Sequence, residues 1–171
     1  KNWIQENPEF ENSSYDELLK LFFKSSILYS DGFSRSFREL GQDAYEIIAD
    51  FEIVQKQWAS ENGIHYDSNN WMTDILMAQI EKIKPDILYF QGTEWSIPGR
   101  FFPQRSKDNL IKILKEKFSF IRKVLIFSGY PSPINRLEGA DFLFSASPKN
   151  LNYYKKQGID KIMPSLICYH S

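Results

Sequence analysis

Apolar residues in the first half of the chain recur at the three- and four-residue spacing that marks one face of a helix. Ser14, with Glu17 three positions later, has the pattern of a capping box and predicts that a helix begins there. The apolar pattern continues past residues 30–32, where a Ser-Asp-Gly sequence predicts either an interruption or a kink, and it stops at Gly41. We therefore expect a helix that is interrupted or kinked between Ser14 and Gly41.

Farther along the chain, short apolar runs alternate with helical patterns. Strands are predicted over residues 44–49, 86–91, 123–128, 141–145 and 160–164, and helices over residues 51–62, 71–84, 106–118 and 148–157. The runs ILYF and VLIF are apolar throughout, which is typical of parallel strands that helices cover on both faces. The alternation predicts a single α/β domain of 171 residues, Rossmann-like, with three α/β/α layers and a mostly parallel sheet.

The overall charge and the single cysteine narrow the range of partners. The net charge is −1 and no basic stripe is present, which argues against duplex nucleic acid. Cys168 is the one cysteine, so neither an internal disulfide nor a cysteine metal cluster can form. No apolar run reaches the roughly 20 residues that cross a bilayer, and the start of the chain lacks the apolar centre of a signal peptide. We therefore expect a cytoplasmic protein without a transmembrane segment.

Polar loops follow the predicted strands, at the positions where an α/β sheet holds its ligands. In open parallel sheets, ligands lie outside the carboxyl ends of the strands. The candidate substrate-binding residues at those positions are Gly92, Thr93, Trp95, Ser128, Gly129, Tyr130 and Ser147. A further candidate loop is the Ser-Asp-Gly sequence at residues 30–32.

Glu94 is the residue in these loops that is best suited to acid–base chemistry. It directly follows a predicted strand end and could act as a general base. Structural explanations stand beside the functional ones: Glu94 as a solvated loop carboxylate, Asp31 and Ser147 as helix caps, and Gly92 and Gly129 as residues that permit sharp turns.

Motifs of nucleotide and metal chemistry are absent from the sequence. It contains no G-x-G-x-x-G turn, no P-loop and no D-x-D pair. His65 and His170 are remote in sequence and lack the spacing of metal ligands, and no G-x-S-x-G sequence places a nucleophilic serine. The sequence therefore predicts neither a metal nor a bound cofactor.

Several segments of the chain, taken in order, resemble one enzyme family. They are SYDE at 14–17, SDGFS at 30–34, LGQ at 40–42, ADFEIVQKQWA at 49–59, ILMAQIEKIKPDILYFQG at 75–92 and DFLFSASPKNLNYYKKQGIDKIMPSL at 141–166. Their order and spacing resemble the spore-maturation-protein (CgeB-type) glycosyltransferases, a bacterial family with the GT-B fold. The resemblance covers residues 3–167, nearly the whole chain.

The resemblance implies the acceptor-side half of an enzyme. A GT-B enzyme has two Rossmann-like domains facing across a cleft, and the C-terminal domain usually binds the nucleotide-sugar donor. This chain resembles the N-terminal domain alone, in an enzyme of surface polysaccharide or glycoconjugate synthesis. The implied partners are a sugar acceptor and a nucleotide-sugar donor held by the missing C-terminal domain. Glu94 and Asp31 then become candidate catalytic bases, and Trp95 and Tyr130 candidates for stacking on the acceptor ring.

The start of the chain departs from the family pattern. Family members begin with a strand that lies between the strands corresponding to residues 44–49 and 86–91, and residues 1–10 do not resemble it. Adjacent strands are about 4.8 Å apart, so an omitted strand leaves a gap of about 10 Å unless it is replaced or closed up. We expect an excised domain with little or no transferase activity by itself. The alternative is a non-catalytic Rossmann-like binding or assembly module.

Overall fold

The structure is a computed structural model that describes residues 12–25, 30–92 and 110–165. The chain divides into two compact units, Lys1–Ala78 and Gln79–Ser171. The prediction of one domain stays a prediction. None of the described helices is long and apolar enough to span a membrane.

The first unit is helical. Its helices are α1 (Tyr15–Ser25), α2 (Gly32–Glu39) and α3 (Glu52–Glu61), followed by α4 (Trp71–Ile83), which continues into the second unit. The predicted capping box is confirmed: the Ser14 N–H and the Ser14 hydroxyl each donate to Glu17 Oε2 over 2.8 Å. These bonds satisfy groups that the first turn of a helix would otherwise leave without partners.

Two small apolar clusters hold the helices of this unit together. Leu18 of α1 packs with Val54 of α3, and both are nearly or fully buried. Trp58 and Ala59 of α3 form the second cluster with Ile75 of α4. Burial of each large side chain stabilises the fold by about 1.5–3 kcal/mol, so these clusters fix how the helices pack within the unit.

The strand predicted over residues 44–49 is wrong, because this segment forms no strand. Its carbonyls accept hydrogen bonds from side chains instead of from a neighbouring strand. Arg38 donates to the Ala44 carbonyl over 2.7 Å, and Gln55 donates to the Ile48 carbonyl over 3.1 Å. Because these carbonyls already have partners, the apolar sequence of the segment does not require a sheet.

The second unit contains a four-stranded, all-parallel sheet. Its strands are β1 (Ile87–Gln91), β2 (Lys123–Phe127), β3 (Phe142–Ser145) and β4 (Ile162–Pro164), and their order in space is the order in the chain. The register aligns Tyr89 with Leu125 and Ile126 with Leu143. Together with the helices, this sheet confirms the predicted α/β, Rossmann-like fold.

Helices connect the strands and cover the sheet to different extents. The described part contains α5 (Leu110–Lys117), a 3₁₀ turn (Ile134–Arg136) and α6 (Pro148–Lys156). Val124 and Ile126 of β2 are fully buried, whereas β1 has no residue in the fully buried class and Ile87 is 50% exposed. Because β1 and β4 are the two edge strands of the described sheet, the apolar run of β1 is less buried than that of the central strand β2.

An ion cluster around Asp141 joins the beginnings of β2 and β3. The Asp141 carboxylate accepts from Lys115 over 2.7 Å, from the Val124 N–H over 2.8 Å and from Lys123 over 3.3 Å. Burial raises the pKa of Asp141, but the hydrogen bonds from Lys115, Val124 and Lys123 outweigh burial and hold the pKa below its usual value. The folded state therefore favours the charged carboxylate.

Replacing Asp141 with Asn should lower the free energy of unfolding by about 1–3 kcal/mol at pH 7, because the partly buried bond from Lys115 loses its charged acceptor. The folded pKa lies below the unfolded value of about 3.9, so the contribution of Asp141 is present above about pH 4 and is lost as the pH falls further. Urea denaturation between pH 7 and pH 3 should show the gap between the Asp141→Asn variant and the parent chain narrowing at acidic pH.

The matched control is Lys123→Gln, because Lys123 belongs to the same cluster but is 52% exposed. It should change the free energy of unfolding by no more than about 1 kcal/mol. A gap that stays constant with pH for Asp141→Asn would contradict the charge-based account.

Candidate functional site

Parallel strands end at the same edge of a sheet, so the loops predicted to bind ligands should be neighbours. The backbone confirms this arrangement in the second unit. The Gly92 N–H donates to the Phe127 carbonyl over 3.1 Å, and the Ser128 N–H donates to the Phe144 carbonyl over 2.8 Å. The carboxyl ends of β1, β2 and β3 therefore form one continuous edge, as ligand sites in α/β sheets require.

A cluster of buried polar side chains lies behind this edge, and we call it the β2–α6 polar cluster. Its members are Ser128, Ser132, Ser145, Asn150 and Tyr154, all of them buried. The described buried side-chain atoms that lack a hydrogen-bond partner are Gln55 Oε1 and Gln79 Oε1, and neither belongs to the cluster. A buried polar group with all of its hydrogen bonds made holds its neighbours in one arrangement. Breaking any of these bonds would leave a polar partner without water or another hydrogen-bond partner.

Two hydroxyl groups at the centre of the cluster fix the loop after β2. Ser128 Oγ lies 2.6 Å from the Tyr130 carbonyl and 2.8 Å from the Tyr154 hydroxyl, which in turn lies 2.9 Å from the Ser132 N–H. Each hydroxyl carries one proton. The Ser128 hydroxyl donates to the Tyr130 carbonyl. The Tyr154 hydroxyl accepts from the Ser132 N–H, and it lies within hydrogen-bond distance of both Ser128 Oγ and the Tyr130 carbonyl, the latter 3.2 Å away.

The amide of Asn150 fastens the same loop from the first turn of α6. It donates to the Gly129 carbonyl over 2.8 Å and also lies 3.3 Å from Ser145 Oγ. Ser145 itself donates to the Ser128 carbonyl over 2.7 Å. Side chains from β3 and α6 therefore hold the backbone of residues 128–132 at several successive positions.

Tyr130 is the exposed side chain that this arrangement presents. Its carbonyl is held within the polar cluster, yet the residue is 78% exposed. Pro131 follows it and restricts the backbone further. An aromatic ring on a fixed backbone loses little conformational entropy when a ligand stacks on it.

The two glycines predicted for the site differ in what the backbone requires of them. Gly92 has a φ of 101°, a conformation that other residues adopt only with strain, so the structural explanation accounts for it. Gly129 has no positive φ, and a Cβ added there would meet only Phe127, at 4.0 Å. The turn therefore does not require glycine at position 129.

The remaining predicted residues lie in three places. Ser147 caps α6, since its side chain accepts from the Asn150 N–H, and it belongs to the same edge of the sheet. Thr93, Glu94 and Trp95 lie outside the described residues. Asp31 belongs to the first unit, where it precedes α2 without a side-chain capping bond and lies 3.6 Å from Arg35.

A second carboxyl group, which the sequence did not point to, lies near Asp31. Glu46 accepts from the Ser34 N–H over 3.2 Å. The pKa of Glu46 is raised above its usual value, mainly by burial and also by the negative charge of Asp31. The hydrogen bonds of Ser34 and the positive charge of Arg38 lower the pKa but do not outweigh these effects. The one signal in the sequence is a lone acidic residue inside the apolar run of residues 44–49.

The residues that sequence reasoning missed in the second unit are Asn150 and Tyr154, which lie four positions apart on one face of α6. The segment NLNYYKK is polar enough to resemble a solvent-exposed helix, so the signal was only this spacing. No group of three or more His, Cys, Asp or Glu side chains suited to a metal ion occurs within residues 12–25, 30–92 and 110–165.

Comparison of the chain with models of protein families, with curated proteins and with solved structures found no match of any of these three kinds.

Replacing Tyr154 with Phe should lower the free energy of unfolding by about 1–3 kcal/mol, because the buried Ser132 N–H loses its acceptor. The amide proton of Ser132 should also exchange with solvent faster. Urea denaturation and hydrogen exchange measure the two effects.

Tyr153→Phe is the matched control, since the Tyr153 hydroxyl forms no hydrogen bond with the described residues and the same atom is removed one position away. It should change stability by less than about 0.5 kcal/mol. Equal losses from both variants would show that the β2–α6 polar cluster does not fix the loop.

Proposed function

We propose that this chain is the acceptor-side domain of a nucleotide-sugar-dependent glycosyltransferase in bacterial surface polysaccharide or glycoconjugate synthesis. The donor would be bound by a second domain outside the chain. The observation that carries the proposal is the exposed Tyr130 ring, held at the carboxyl end of a parallel sheet by buried hydrogen bonds. The order of the sequence segments that resemble the CgeB-type family supports the same conclusion.

The chemistry of Tyr130 suits a sugar. The C–H face of a pyranose ring is apolar, and an aromatic side chain that covers it removes that face from water. The sugar hydroxyls remain free to bind polar groups around the ring. The carbonyl groups of Gly129 and Tyr130 already accept hydrogen bonds from the buried cluster. Recognition of a sugar at this position therefore depends on the Tyr130 ring rather than on those carbonyls.

In the proposed reaction, a hydroxyl oxygen of the acceptor attacks the anomeric carbon of the donor sugar. The bond from that carbon to the nucleoside diphosphate breaks, and a base on the protein takes the hydroxyl proton if the configuration inverts. Glu94 is the first candidate for this base because it follows the end of β1 by three residues. Asp31 is the second. Such a base must lie within hydrogen-bond reach of the hydroxyl in the assembled enzyme.

Replacing Tyr130 with Ala in the complete enzyme should raise the KM for the acceptor by about twofold to tenfold, the contribution of one aromatic contact. The kcat should change little, because the ring contributes equally to binding the ground state and the transition state. Release of nucleoside diphosphate from UDP-, GDP- or dTDP-sugars, measured against acceptor concentration, separates the two constants.

Tyr130→Phe keeps the ring and should retain the parent KM. Tyr45→Ala removes another exposed tyrosine, 64% exposed and in the first unit, and should leave the KM unchanged. If the KM of Tyr130→Ala equals that of the parent enzyme, Tyr130 does not contact the acceptor.

Replacing Glu94 with Gln in the complete enzyme should lower kcat by roughly 100- to 10,000-fold if Glu94 is the general base. Binding of the nucleotide-sugar donor, followed by calorimetry, should stay intact. Glu81→Gln, an exposed carboxylate on α4, is the matched control and should keep the parent activity.

A loss of turnover in Asp31→Asn with normal turnover in Glu94→Gln would assign the base to Asp31 instead. Binding of a saccharide without any release of nucleoside diphosphate from the complete protein would favour the alternative, a non-catalytic binding module.

A further inference from the structure

The outward face of α6 carries a shallow depression of about 540 Å³. Lys149, Asn152, Tyr153 and Lys156 line it. These residues are spaced three, four and seven positions along one helix, so they share a face over two turns, a length of about 10 Å. The depression therefore offers a cation at each end, with a ring and an amide between them.

Helix stability does not explain Lys149. It is the second residue of α6, and the first turn of that helix contains no acidic residue. The backbone amides at a helix N-terminus carry partial positive charge, so a lysine there is electrostatically unfavourable. Lys155 and Lys156, in the last turn, have the favourable placement. Within the described part of the chain, none of these three lysines forms an ion pair.

The Tyr153 ring is fixed from below. It packs against the buried Tyr154 ring with centroids 5.1 Å apart and planes at 72°, the edge-to-face geometry that aromatic pairs prefer. Tyr154 is in turn held by the β2–α6 polar cluster. The floor of the depression therefore rests on the same buried cluster that holds the loop of Tyr130.

We propose that this face of α6 binds an anionic saccharide, a chain of sugars that carry carboxylate or phosphate groups. Lys149 and Lys156 would pair with the charged groups, Tyr153 would contact the apolar face of a ring, and the Asn152 amide would bind a hydroxyl. This inference rests on the proposed acceptor-side function and specifies the acceptor further: it is a growing anionic glycan, of which this face holds a segment away from the reacting end.

Charge complementarity favours this occupant over a neutral glycan. Two cations with no carboxylate partner leave their full charge available to a ligand. A neutral sugar would need only the Tyr153 ring and the Asn152 amide, and neither lysine would contribute to its binding. The net charge of −1 gives the chain no extended positive field, so two lysines suit a short charged segment of a glycan better than the dense phosphate charge of duplex nucleic acid.

The test is an NMR titration of the 171-residue chain with α-1,4-linked trigalacturonate, and in parallel with the neutral analogue galactotriose. Trigalacturonate should shift the amide signals of Lys149, Tyr153 and Lys156, and galactotriose should bind at least about tenfold more weakly. Each exposed ion pair contributes up to about fivefold to affinity, so Lys149→Gln with Lys156→Gln should weaken trigalacturonate binding roughly tenfold. Raising the salt concentration should weaken it as well.

Lys155→Gln is the matched control. It removes the same charge from the same helix, next to Lys156 in sequence but outside the lining of the depression. Binding by this variant should stay within about twofold of the parent chain.

The absence of trigalacturonate binding would overturn the proposal, and so would equal binding of galactotriose. If Lys155→Gln weakened trigalacturonate binding as much as Lys149→Gln with Lys156→Gln, the binding would result from general charge attraction rather than from this face of α6. That result would also overturn the proposal. The titration contains no donor and does not depend on Tyr130, so it can succeed or fail independently of the transferase assay. Saccharide transfer to neutral acceptors alone would leave the proposed function standing without this inference.

Discussion

The parallel pairing of β2 with β3 is the constraint on which the carboxyl end of the described sheet depends. It aligns Phe127 with Phe144, so the next residues of both strands, Ser128 and Ser145, meet at the same edge. A shift of one residue in this register would turn the side chains of the shifted strand to the opposite face of the sheet, so that Ser128 and Ser145 would no longer lie side by side. The bond from Ser145 to the Ser128 carbonyl and the placement of α6 against the loop both follow from this one alignment.

The parts of the fold that the sequence predicted are those that local rules determine. The capping box at Ser14 needs only residues three positions apart, and the ends of the helices and strands follow from proline, glycine and apolar runs. The segment 44–49 shows the limit of that reasoning. An apolar run predicts burial, but a strand also needs a neighbour with free backbone groups, and the sequence does not say where that neighbour lies.

The sequence predicted the position of the candidate site but not the hydrogen bonds that hold it. Its place after the strands follows from the topology of parallel sheets, whereas the bonds of Tyr154 and Asn150 join residues more than 20 positions apart in the chain. The carboxyl groups make the same point. Asp141 and Glu46 are ordinary acidic residues in the sequence, yet lysine contacts lower the pKa of Asp141 and burial raises that of Glu46.

The space beside Gly129 has an evolutionary consequence. The backbone there does not have a positive φ, and a Cβ added at position 129 would meet its nearest neighbour, the Phe127 ring, at an ordinary contact distance of 4.0 Å. The hydrogen bonds from Asn150 and Ser128 reach carbonyl groups, which every residue type provides. Selection can therefore place a new side chain directly next to Tyr130, at small cost in stability, and so change the exposed surface around that ring while the supporting fold stays constant.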